Sequence, residues 1–116
     1  MREKDFEAVA LARIERAKKE RDAATLGGYL VANYALSVRF AACEALEGLY
    51  NEEAVKELLD ALFRYDLGRD MEVQIIKTLS GMMTEEDLEQ VRIEYDVSTD
   101  NHTLRLYTVL DRCVKY

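Results

Sequence analysis

At 116 residues with a formal charge of −7, no proline and five glycines, this chain is long enough for one domain with its own core, and its composition favours helix over strand. The acidic excess is confined to residues 23–116, which hold seventeen Asp/Glu against nine Lys/Arg, while residues 1–22 hold six against seven. Such an acidic body disfavours direct binding to nucleic acid or to an anionic membrane. The charged start Met1-Arg2-Glu3-Lys4-Asp5, and the lack of an apolar run of spanning length, give a cytoplasmic protein as the expectation.

In chain order, the spacing of Phe6, Val9, Ala10, Leu11, Ile14 and Ala17 predicts a first helix over 5–22 with an apolar stripe. A second helix is expected over 23–33. Its Gly27-Gly28 pair is costly inside a helix and signals a bend or the close approach of a neighbouring helix. From residue 37 the chain repeats itself at 33 residues. Val38 falls on Met71, Phe40 on Val73, Leu46 on Leu79, Gly48 on Gly81, Leu49 on Met82 and Val55 on Leu88. Ser37 and Asp70 read as N-caps of the first helix in each unit, with Gly48 and Gly81 in its last turn. Asn51 and Thr84 read as N-caps of the second helix, each followed by two glutamates where the helix dipole favours negative charge.

A third copy is expected to begin at Thr103, where Leu104-Arg105-Leu106 repeats Val38-Arg39-Phe40. Before it, Val91, Ile93, Tyr95 and Val97 alternate with charged residues at the strand period, so a β-hairpin over 91–110 is the alternative. The repeat register favours helix, because Leu88, Val91 and Tyr95 fall on Val55, Leu58 and Leu62.

A fixed period of this size marks stacked supersecondary units that bury their apolar faces only against one another. The expected fold is all-α: a short right-handed α-solenoid of about three helix pairs with a C-terminal helix. Its parts are 1–33, 37–66, 70–97 and a partial unit at 101–116 within one domain. Residues 37–62 resemble a HEAT repeat, specifically the short variety named after phycobilisome lyases. The resemblance rests on Val38-Arg39, Ala41-Ala42, Ala45-Leu46, Gly48-Leu49 and Glu53-Ala54-Val55 followed by Leu58-Leu59 and Ala61-Leu62. The copy over 70–95 keeps the apolar positions but has Glu72 where the first has Arg39. The resemblance implies a surface that recognises proteins, with the second helices lining its inner face. The metal-binding His-Glu pairs of the hydroxylases in that family are absent here, and so is the basic groove of its DNA glycosylases.

No nucleophile–base pair, cofactor motif or metal set is apparent, so no catalytic residue, cofactor or metal is expected. His102 reads as an exposed turn residue, and Cys43 and Cys113 as small buried thiols without metal or redox spacing. Arg39 and Arg105 recur at twice the period, which suggests charge pairing between units.

The expected function is non-catalytic protein binding. One candidate surface is the inner face formed by Glu53, Lys56, Glu57, Asp60, Arg64, Glu86, Glu89 and Gln90, whose acidity favours a basic partner. The other is the C-terminal end, through Leu104, Tyr107, Val109, Leu110 and Val114, which would also serve a homodimer. The alternatives are an acidic inhibitor competing for a nucleic-acid site and a lyase-like or accessory enzyme subunit.

Overall fold

The computed structural model describes residues 3–31, 33–95, 97 and 100–114. These hold seven helices and no strand: α1 (Glu3–Glu20), α2 (Ala23–Gly28), α3 (Leu36–Leu49), α4 (Glu52–Arg64), α5 (Arg69–Ser80), α6 (Glu85–Glu94) and α7 (Asn101–Val114). The hairpin alternative is thereby overturned. Ile93, which a strand would place on the same face as Val91, is 67% exposed, whereas Leu88 and Val91 are buried at helical spacing. No helix among the described residues is long and apolar enough to cross a membrane.

The odd-numbered helices form a row in which α1 packs on α3, α3 on α5 and α5 on α7. Along the other side α2 packs on α4, and α6 rests on α7. The molecule measures 43 × 26 × 22 Å. One continuous core runs through it, with Ile14, Leu26, Leu46, Leu58, Ile75, Leu79, Leu106 and Leu110 all buried.

Local chemistry sets the helix ends. Asn51 accepts from the Ala54 amide at 2.8 Å, and Thr84 forms a reciprocal capping box with Asp87. The other two expected caps fail. α3 begins at Leu36 after Ala35, and Ser37 instead donates its hydroxyl to Glu7 on α1. α5 begins at Arg69 after Gly68, whose φ of +81° is accessible at little cost only to glycine. α2 stops at Gly28, short of the expected 33. The expectation of close approach at the glycine pair holds. A Cβ on Gly27 would lie 2.7 Å from Glu57 Oε1 on α4, so the missing side chain is what lets the two helices meet.

Three further expectations need correction. Phe6 and Val9 do not join the buried stripe of α1; they are 61% and 43% exposed while Ala10, Ile14 and Ala17 carry the packing. Cys113 is exposed, Cys43 is buried against Thr78, and both are free. The third unit is not in register at 33. Leu104 is 46% exposed where Val38 is buried, and Leu106 is buried where Phe40 is exposed. The burial pattern of α7 follows α5 at 31 residues instead: Thr103, Leu106 and Leu110 stand where Glu72, Ile75 and Leu79 do.

The arginines divide the expected pairing between them. Arg105 lies 3.3 Å from the buried Glu72 on α5, which also faces His102 at 3.6 Å. His102 therefore sits in the first turn of α7 beside a buried carboxylate, not in a turn between elements. Among the described residues Arg39 forms no ion pair. It is buried and donates from Nε to the Leu30 carbonyl at 3.0 Å and from Nη2 to the Leu67 carbonyl at 2.7 Å, tying together the α2–α3 and α4–α5 connections.

Candidate protein-binding groove

The seam between α2 and α4 is closed, and the next seam in the same row is open. α2 and α4 pack tightly through Gly27 against Glu57, flanked on α4 by the buried Ala54, Leu58 and Ala61. α4 and α6 make no comparable contact. A groove of about 600 Å³ lies between them instead.

The 33-residue register explains the difference. Gly27 of α2 becomes Asp60 in α4, and Ala23 becomes Lys56. On the facing side, Ala54 and Ala61 of α4 become Asp87 and Glu94 in α6, and Glu57 becomes Gln90. Small residues that allow helices to touch are thus replaced by charged ones whose desolvation would cost more than contact returns. Lys56, Asp87, Gln90 and Glu94 then line the opening that their counterparts would have closed.

Val55, Leu59, Met82 and Val91 form the apolar floor, with Val55 and Met82 half-buried. Glu52, Glu86, Asp87 and Glu94 rim it against the single ammonium of Lys56. Among the described residues the carboxylates of Glu52, Glu86 and Glu94 form no hydrogen bond or ion pair, and Asp87 is held in the capping box of α6. No grouping of three or more His, Cys, Asp and Glu side chains among the described residues is arranged for a metal ion.

One end of the groove is pinned. Tyr95, at the C-terminus of α6, donates its hydroxyl to Asp60 at 2.5 Å and stacks on Phe63 with ring centroids 5.1 Å apart. Arg64 lies over the Tyr95 ring at 5.3 Å and bonds Asp60 at 3.2 Å. Burial, then the hydrogen bond to the Asp60 carboxylate, push the Tyr95 phenol well above its ordinary pKa. At the other end, Tyr50 reaches across from the C-terminus of α3 to the Gly81 carbonyl at 3.2 Å.

The expected inner face is therefore divided. Lys56, Glu86 and Gln90 line the groove. Asp60 and Arg64 are engaged at its pinned end. Glu57 is turned towards α2, where burial and then the neighbouring Asp60 raise its pKa. Glu53 is exposed outside the lining, and Glu89 is paired with Arg92. Glu52, Asp87, Glu94 and Tyr95 belong to the site and were not expected there. For Asp87 and Glu94 the available signal was their offset from buried alanines. At the C-terminal end Leu110 is fully buried and cannot contribute to an interface. Tyr107, Val109 and Val114 are half-covered, and Leu104 alone of that set is exposed. No family model, curated protein or solved structure matches this chain.

Proposed function

We propose that this chain is a non-catalytic protein-binding module, a short α-solenoid of HEAT-like helix pairs whose α4–α6 groove receives a basic segment of another protein. The row of odd helices, with α2 packed on α4 beside it, supports the solenoid reading. The observation that carries the functional reading is the open seam, where charged residues replace the small ones that close the equivalent seam one unit earlier. Four carboxylates around an apolar floor attract Lys and Arg at long range and accept apolar side chains at contact.

The test is affinity capture from the native cell, followed by binding of the recovered partner to a Glu52→Lys/Glu86→Lys/Glu94→Lys variant. Affinity at low salt is expected to fall by at least about tenfold. The melting temperature should fall only modestly, because all three side chains are exposed and the loss is limited to the helix-dipole contributions of Glu52 and Glu86, about 0.5 kcal/mol each. Unchanged affinity would rule the groove out as the binding face.

A further inference from the structure

The N-terminal helix carries a largely exposed face beside the α2–α3 connection. Phe6, Val9, Arg13 and Arg16 follow one another at spacings of three, four and three, so they form a single line along α1. That line lies about a quarter turn round the helix from the buried Ala10, Ile14 and Ala17, and its Phe6, Val9 and Arg13 wall a pocket shared with Tyr29, Tyr34 and Ala35. It begins with two exposed apolar side chains, Phe6 and Val9, and ends with two cations. Arg16 is shared with Glu20 at 3.0 Å, an exposed pair that costs little to break.

This is the chemistry the α4–α6 groove asks for. The line from Phe6 to Arg16 spans ~15 Å, and Glu86 to Glu94 spans ~12 Å along α6. The apolar end matches the floor at Val55 and Met82, and the two guanidiniums match the unpaired carboxylates at the rim. The lopsided charge of the chain gains a reason in the same way. The first 22 residues are nearly balanced, with seven cations against six carboxylates, and the rest of the chain holds the acidic excess.

We infer that α1 of one copy docks by its Phe6–Arg16 face into the α4–α6 groove of a second copy. This rests on the reading of that groove as a protein-binding face and names one occupant for it. The two surfaces are different patches, so a single contact leaves one of each free. Reciprocal contacts close a dimer, and unreciprocated ones build a series that grows with concentration.

Sedimentation of the full chain from micromolar to hundreds of micromolar decides the matter. Association is expected at ~50 mM salt and is expected to weaken severalfold at ~500 mM. An Arg13→Glu/Arg16→Glu chain and a Glu86→Arg/Glu94→Arg chain should each be monomeric, since each sets like charges against one another. Mixed in equal amounts they should associate, because each then offers the complement of the other. A parent chain that stays monomeric overturns the inference, and so does either variant associating like the parent or a mixture that stays monomeric. The groove reading is judged separately by the captured partner. A monomeric parent whose partner binding still depends on Glu52, Glu86 and Glu94 defeats the self-docking alone.

Discussion

Arg39 shows how much of this fold rests on single side chains. Its guanidinium is buried and satisfies carbonyls in two different connections, so its removal leaves two acceptors without a donor. Arg39→Met is expected to cost on the order of 3 kcal/mol in urea unfolding, and Arg39→Lys nearly as much, because an ammonium cannot span both carbonyls in that geometry. Glu57 works in the opposite sense. Its pKa is raised in the folded state, chiefly by burial, so the fold favours its protonated form. The stability it lends is present below the unfolded carboxylate pKa and is lost as pH rises through the folded value. Glu57→Gln should therefore raise the melting temperature at about pH 7 and leave it unchanged at about pH 3, which a pair of thermal scans would establish. At Glu72 the ion pair with Arg105 is asymmetric. The carboxylate is largely buried and the arginine is more than half exposed, so their coupling in a double-mutant cycle should be small, about 1 kcal/mol or less.

At the scale of elements, the second helices start where their chemistry says. Thr84→Ala removes the hydroxyl half of a capping box, the acceptor of the Asp87 amide, while its backbone N–H still donates to Asp87. It should cost about 1 kcal/mol, as should Asn51→Ala, each measurable by chemical denaturation. These starts were legible because a β-region residue with a short oxygen-bearing side chain does one recognisable thing before a helix. The first helices were less so. Ser37 carries the right side chain but is one residue inside the helix and engaged with Glu7, and Gly68 starts α5 by backbone conformation alone. The register of α7 was misread for a related reason. Leu104-Arg105-Leu106 matches Val38-Arg39-Phe40 in kind, yet a two-residue shift turns a helix by ~200°, so residues of the same kind face opposite ways. The groove was half visible. Lys56, Glu86 and Gln90 could be placed on an inner face from periodicity. That α6 stands off α4 depends on side-chain volume at Gly27, Ala54 and Ala61, and only a comparison with Asp60, Asp87 and Glu94 exposes it.

For the molecule as a whole, the packing row implies uneven local stability. α3 and α5 are held on both sides, whereas α6 packs chiefly on α7, buries only Leu88 and Val91 of its own residues, and is tied to α4 by Tyr95. Amides of α6 are therefore expected to exchange with solvent well before those of α3 and α4, read by hydrogen-exchange mass spectrometry at neutral pH. The Tyr95 anchor also has an optical consequence. The chain contains no tryptophan, so its ultraviolet emission comes from seven tyrosines. One of these has its hydroxyl on a carboxylate and its ring between Phe63 and a guanidinium at the mouth of the groove. Hydrogen bonding to a carboxylate dims phenol fluorescence. Anything that enters the groove and draws Asp60 away from the Tyr95 hydroxyl should thus brighten the protein without any label, a built-in signal for occupancy.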